Sequence, residues 1–383
     1  MRLFENRPLT LLMIGKILLI IFIFSILLVF FLIYQNQSVM LNPIRFEDKN
    51  LPAEDVQAES VFQPETPSLN QIFNIDHKWV ATLSAERIRT VIATGDIIPA
   101  RTVNFEILRH KDFNWPYLKT NQLTQASDVT FANLESPEIK NCPATNKGMI
   151  FCGDYRNIEG LKFAGIDVIS LANNHAGNYG EEGVKETIDH LKNAGIETTG
   201  TALSNLVIKD IRGIRFAFLG FNDISKNQPG ISDVDEEKIK NDIREAEKQA
   251  KIVIVSFHWG VEYRDQPDER QKYLGHLAVD AGADLVIGNH PHWIQPVEIY
   301  KDKLIIYAHG NFVFDQEWSI KTKLGVVGKY TFYDNQLIDV EFFPLQIENY
   351  GQPNLLTGDK KQIILDEMSK ESIILSLTTE VKK

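Results

Sequence analysis

Two histidines separated by a single proline, His290 and His292 in LVIGNHPHWIQPVEIY, stand where an apolar run stops. In extended chain the side chains of residues i and i+2 point the same way, and the intervening proline disfavours helix, so the spacing predicts two imidazoles projecting together. Neutral imidazoles so placed can hold a metal. Other apolar runs end in the same kind of chemistry: Asp96 after VIATG, Asn133 and Glu135 after VTFA, Asn174 and His175 after VISLAN, and His258 after IVIVSF. Carboxylate, amide oxygen and imidazole without thiolate suit one or two divalent ions, Mn, Fe, Zn or Mg, with Glu135 or Asp96 available to bridge a pair.

Such residues must be brought together by the elements that carry them. IRTVIATGD, DVTFANLE, DVISLANNH, KIVIVSFHWG and DLVIGNHPH read as strands, and GEEGVKETIDHLKNAG, DEEKIKNDIREAEKQA and QKYLGHLAVDAGA as amphipathic helices between them. This alternation predicts an α/β fold with a layered sheet. LVIKDIRGIRFAFLGF and PVEIYKDKLIIYAHGNF read as hairpins turning at Arg212-Gly213 and around Asp302, so the sheet is expected to be mixed. Ligands of open α/β sheets lie beyond the carboxyl ends of the strands, where all these polar residues fall.

The rest of the chain bears on location and partners. Of 383 residues, 44% are hydrophobic, ample for a large core, and the formal net charge of -11 argues against nucleic acid as a partner. Residues 9–34 form an apolar run long enough for a bilayer of roughly 30 Å, expected to be an uncleaved transmembrane anchor. Arg2, Arg7 and Lys16 precede or open it, so the positive-inside rule places residues 1–8 in the cytoplasm and the remainder at the outer face of the cell membrane. A stalk is expected over 35–85, rich in Pro, Glu, Asp, Gln and Ser, then a domain over 86–375 and a tail over 376–383. In an oxidising compartment Cys142 and Cys152 are expected to pair, two free thiols being the alternative.

GDIIPAR, FANLESP, SLANNHAGNYGEEGV, SFHWGVEY, GNHPHWIQPVEIY and IIYAHGNFVFD, in this order, resemble the CapA family of capsule-synthesis proteins associated with poly-γ-glutamate, which looks like a branch of the calcineurin-like metallophosphoesterases. The likeness covers about residues 88–368. It implies a metallophosphoesterase-like domain behind the N-terminal membrane helix. Asp96, Glu135, Asn174, His258, His290 and His292 would be metal ligands, with His175 the general acid or phosphate contact and Arg101 a fork for an anionic group. Asn133, Glu262, Tyr263, His309 and Asn311 would support the ligands or wall the substrate.

Two departures qualify the resemblance. Ile98 stands where a D-x-H motif would carry histidine, and N-L-E replaces G-D-x-x-D, so one metal site is expected to be weakened or missing. Two functions follow from the same parts. One is a noncatalytic or accessory role in making, exporting or tethering an anionic capsule polymer alongside other capsule-synthesis membrane proteins. The other is metal-dependent hydrolysis of a phosphorylated substrate. No glycine-rich phosphate cradle follows a strand, so an ATP-driven step belongs to another protein.

Overall fold

A computed structural model describes residues 62–74 and 76–380. The expected membrane anchor lies outside the described residues; among those described, no helix is long and apolar enough to cross a membrane. Among the described residues sixteen strands follow in chain order. They are β1 (Ile88–Ile97), β2 (Val129–Leu134), β3 (Glu138–Ile139), β4 (Gly153–Asp154), β5 (Val168–Ser170), β6 (Glu197–Thr199), β7 (Leu206–Ile211) and β8 (Ile214–Asn222), then β9 (Ile252–His258), β10 (Leu285–Asn289), β11 (Val297–Tyr300), β12 (Lys303–Ile306), β13 (Asn311–Val313), β14 (Leu324–Tyr333), β15 (Gln336–Glu348) and β16 (Gln352–Leu355).

The longer strands build two mixed sheets. One runs β16-β15-β14-β1-β2-β5-β6, with β13 also paired to β1; the other runs β11-β12-β10-β9-β8-β7. β1, β2, β5 and β6 are mutually parallel, as are β8, β9, β10 and β12, so each sheet has a parallel centre whose carboxyl ends can converge. The hairpins expected from the sequence form β7–β8 and β11–β12. Arg212 and Gly213 turn the first with φ 47° and 83°, and Lys301 and Asp302 the second with φ 48° and 60°, the doubly left-handed backbone that matches strand twist.

Alternation along the strands decides the layering. Val91, Ala93, Val129 and Phe131 face Phe216, Phe218, Ile252, Ile254, Leu285 and Ile287 between the sheets. Their sequence neighbours point outward: Ile92, Ala132 and Leu134 pack beneath the helices Arg101–His110, Asn157–Phe163 and Gly180–Ala194. On the other side, Ala217, Leu219, Val253, Val255 and Val286 meet helices Glu236–Gln249 and Glu269–Ala281. The outcome is a helix–sheet–sheet–helix sandwich in which both faces of the central strands are apolar. Phe131 and Phe218 stack across the middle, ring centroids 5.8 Å apart and 9° from parallel.

Two boundaries differ from expectation. Residues 62–85 are not all stalk, because the compact unit begins at Phe62. The short helix Leu69–Asn74 buries Ile72 and Phe73, with Phe73 stacked on Phe342 of β15 at 6.0 Å. The polar composition around it conceals that one apolar patch. Residues 376–380 are likewise not a tail, since helix Gly358–Glu380 runs through them and brings Ile364 and Met368 to the core between the sheets.

Cys142 and Cys152 form a disulfide. Gly95 in β1 shows how closely the strands approach the site, since a Cβ there would lie 2.2 Å from the Gly310 carbonyl oxygen.

Truncating the inter-sheet stack tests this layering. Phe218→Ala is expected to lower unfolding free energy by about 3–5 kcal/mol in chemical denaturation, because Phe218 is fully buried in a close-packed layer. A loss below about 1 kcal/mol would mean that the two sheets do not meet there.

Candidate metal centre

The site lies at the carboxyl ends of the parallel strands, on the rim between the two sheets. Asp96 is the last but one residue of β1, Asn133 sits near the end of β2 with Glu135 just beyond it, and His258 ends β9. Asn174 follows β5, and His290 and His292 follow β10. All six expected ligands are brought together. Glu135, His258 and His290 form one group with potential ligand atoms within 4.8 Å of one another, and Asp96, Glu135 and His292 form a second. Glu135 belongs to both, in the bridging place.

The two histidines reach these groups differently from the expected extended pair. His290 has φ 98° and His292 φ 58°, both left-handed, so the chain turns at each. Their rings, 5.9 Å apart, therefore serve different triads. Such backbone is costly for a residue with a Cβ and persists where surrounding contacts enforce it. Here the His290 N–H donates to Asp96 Oδ2 at 3.2 Å, and the Pro291 carbonyl accepts from Tyr263 N at 2.8 Å.

Amide side chains fix the ligands from behind. Asn133 Nδ2 donates to Asp96 Oδ1 at 2.8 Å and lies 3.3 Å from His258 Nδ1, while its Oδ1 accepts from Asn173 Nδ2 at 3.1 Å. Asn173 also donates to the Leu134 carbonyl and accepts the N–H groups of His175 and Ala176, a local turn that sets the Asn174 loop. Asn174 Oδ1 lies 2.8 Å from His258 Nε2, and His290 Nδ1 is 3.1 Å from the same nitrogen. Asn311 Nδ2 donates to the Thr322 carbonyl at 2.8 Å, which orients its Oδ1 toward His292 Nδ1 at 2.9 Å. The sequence offered no signal for Asn173, an ordinary turn residue until the loop is folded.

Electrostatics identify what the site lacks from the protein alone. Both Glu135 carboxylate oxygens are buried and accept no hydrogen bond. Burial, with the Asp96 charge beside it, pushes that carboxyl well above the usual range. A buried carboxylate without donors is strongly unfavourable unless a cation meets it. Burial opposes ionisation of Asp96 too, but the hydrogen bond from His292 and the positive charge of that imidazole, with the hydrogen bond from Asn133, hold its pKa below the ordinary value. Burial lowers His258 to about 3 and His290 well below its usual value, keeping both neutral as ligands require. His292 behaves oppositely: burial lowers it, yet Asp96 and Glu135 raise it to about 9 in the metal-free protein. A divalent ion would replace that proton as the positive charge between the carboxylates. The donor set fits such an ion, with Asp96, Glu135 and His292 holding one position and Glu135, His258 and His290, beside Asn174, holding the other.

Ile98 does not leave a gap. Its side chain is buried with Ala100, Phe151 and Phe314, and three protein ligands remain at each position.

Above the centre lies a cleft of about 210 Å³, walled by Arg101, Met149, Phe151, His175, Glu262, Tyr263, His292, Phe314 and Trp318 among others. Arg101 is less free than expected. It is ion-paired with Asp315, donates to the Gly148 carbonyl at 3.2 Å, and packs over the rings of Phe151 and Phe314. Its buried Nε has no partner. His175 is mostly buried, and desolvation lowers it to about 4. Tyr263 hydroxyl accepts from Gln316 at 3.0 Å and its ring meets Trp318 edge-on at 4.8 Å. His309 stands apart from the ligands, hydrogen-bonded to Tyr330 at 2.8 Å and to the Gly288 carbonyl at 3.4 Å.

A family model described as "Bacterial capsule synthesis protein PGA_cap" matches residues 90–316. A capsule biosynthesis protein, CapA, from Bacillus anthracis is 33% identical over 296 residues, 72% of this chain and 71% of that protein. The chain belongs to the PGA_cap family. A second relative, the "PGA biosynthesis protein CapA" of Bacillus subtilis (strain 168), is 32% identical, over 73% of this chain and 77% of its own length. The PGA_cap match contains every residue of both triads. Among solved structures, a "novel phosphatase" from Mycoplasma pneumoniae aligns with TM-score 0.47 at 12% identity, over 70% of this chain and 95% of that one, a likeness that carries no inference.

Elemental analysis of this PGA_cap protein is expected to find two divalent ions per chain, one for each triad. His292→Ala should lose one, His290→Ala the other, and Glu135→Ala both; equal metal in wild type and His292→Ala would disprove the assignment.

Acid stability gives an independent check. His309 titrates near 6.5 when unfolded and about 4 when buried, so between those values the unfolded chain binds more protons. The metal-free protein should therefore lose stability as pH falls from about 6.5 toward 4, by up to about 1.4 kcal/mol per pH unit for this group. Thermal melts of wild type and His309→Gln across that window should show a shallower slope in the variant.

Proposed function

We propose that this protein acts in the biosynthesis, export or anchoring of a capsule polymer of the poly-γ-glutamate kind, tethered by residues 9–34 with its folded domain outside the cell membrane. Family membership and the names of the two Bacillus relatives support the polymer. The apolar run and its flanking cations support the location. An anionic polymer and a cation-holding cleft are chemically matched.

One observation favours a second reading, hydrolysis of a phosphoester by the same centre. Glu135 is a buried carboxylate without a hydrogen bond that belongs to both triads, so the residues of the two groups could hold two divalent ions side by side. When bound, such ions supply Lewis acidity and neutralise charge that develops on the substrate. The chain's own residues do the rest. Phe151, Phe314, Tyr263 and Trp318 shape the cleft, Arg101 Nε is a donor for an anionic group, and His175 exchanges a proton with the substrate. The substrate of this reading is a phosphorylated compound that reaches the cleft mouth.

The two readings separate in one experiment. Full-length protein loaded with Mn²⁺ should turn over a phosphomonoester or phosphodiester reporter under the hydrolase reading, and Glu135→Ala should abolish the turnover. Metal-dependent retention of poly-γ-glutamate without turnover would leave the accessory role standing alone. Neither turnover nor retention would overturn the proposal. Proteolysis of intact cells should release the folded domain, and protection of that domain would overturn the outer location.

A further inference from the structure

Glu262 and Tyr263, in the loop after β9, line the cleft beside the metal centre. Tyr263 has φ 63°, a left-handed backbone that is costly for a bulky side chain. It is held there because its N–H donates at 2.8 Å to the carbonyl of Pro291, the residue between the two histidine ligands. The ring is thereby fixed relative to the metal loop. Trp318, also lining the cleft, meets Tyr263 edge-on at 86°, with ring centroids 4.8 Å apart. Two perpendicular rings make a corner, and since Trp318 is 61% exposed the corner is open to solvent.

The polar groups around that corner are acceptors. Arg101 is the one Lys or Arg lining the cleft, and it is already paired with Asp315. Glu262 has no ion pair among the described residues. Gln316 Nε2 donates to the Tyr263 hydroxyl oxygen at 3.0 Å, while Gln316 Oε1 is an acceptor without a donor. Burial, and next the neighbouring Glu262 charge, push the Tyr263 hydroxyl up to about 12, so the phenol stays neutral beside that carboxylate. A carboxylate, an amide oxygen lacking a donor and two perpendicular rings supply what a primary ammonium needs: opposite charge, acceptors for its N–H groups, and π faces within about 6 Å. A neutral apolar ligand would use the rings and leave Gln316 Oε1 and the Glu262 charge unmet.

The floor of the cleft has the opposite character. Arg101 Nε is a buried donor without a partner, and the two triads would present cations to an anionic oxygen. We propose that the cleft takes a zwitterion, its anionic oxygens at the metal centre and its primary ammonium in the corner formed by Glu262, Gln316, Tyr263 and Trp318. The choice of ligand rests on the polymer reading of this protein. In a γ-linked glutamyl chain every α-amine except the first is consumed in an amide, so only the amino-terminal residue carries ammonium and carboxylate on one carbon. The site therefore selects the end of the polymer over its length. Interior α-carboxylates can approach the centre, but none of them brings a cation to Glu262.

The test uses full-length protein in nonionic detergent, loaded with Zn²⁺, and isothermal titration with 2-aminoethylphosphonate and ethylphosphonate, which share the phosphonate and differ in the ammonium. Wild type should bind the amino compound about 10-fold tighter or more. Glu262→Gln, with its metal content checked by elemental analysis, should erase that preference, and Trp318→Ala, at an exposed position, should reduce it. Equal affinities in wild type, or binding of neither compound, overturn the proposal whether or not any variant folds, as does an undiminished preference in metal-replete Glu262→Gln. In a second arm, a γ-linked glutamyl oligomer with a free amino terminus should be retained by the wild type and its N-acetylated form released. Equal retention of both overturns the end-selective site and leaves the polymer reading standing. Preference for the amino compound with neither oligomer retained sinks the polymer reading and leaves the ammonium site intact.

Discussion

A carboxylate with no hydrogen-bond donor, Glu135, sits fully buried where the two sheets meet, and the architecture around it makes sense only with positive charge beside it. Removing a carboxylate from water costs several kcal/mol that packing alone cannot return. The protein surrounds it with imidazoles and a second carboxylate instead of lysine or arginine, a donor set that divalent ions fit. The opposite shifts of His258 and His292 express the same constraint: one imidazole is kept neutral by burial, the other drawn positive by Asp96 and Glu135.

The fold answers with rigidity. Strands that are apolar on both faces are clamped between helices, and their parallel centres deliver side chains to one rim with little freedom. Alternation places Asn133 on the same inner face as Val129 and Phe131, and His258 on that of Ile252 and Ile254, so the polar pair continues the line of the core. The strained turns at His290 and His292 then divide two neighbouring imidazoles between two positions, which a regular strand could not do.

The loops above that rim shape the cleft. The disulfide-closed segment, the loop after β9 and the stretch around Trp318 contribute aromatic walls, and Arg101 is wedged between two of those rings while paired with Asp315. A cation so committed shapes the mouth of the cleft through its ion pair and ring contacts.

Much of this was legible in the chain. Apolar runs ending in Asp, Asn, Glu or His marked the strands and the ligands together, because an α/β sheet exposes its strand ends, and left-handed turn residues marked both hairpins. The limits of the domain were not, since Ile72 and Phe73 are two apolar side chains in a polar segment and only their docking beside β15 reveals a core. Nor could the sequence say that Arg101 is paired with Asp315, or that Asn178 and Phe151 pack against His175. By itself the sequence determined which residue types could hold metal and on which strand ends they stand, because local periodicity sets direction along and across a strand. Only the tertiary structure decided which candidate ligands lie together, which ring nitrogen of His175 faces Asn178 and what packs around Ile98, because those depend on contacts between segments that the chain keeps apart.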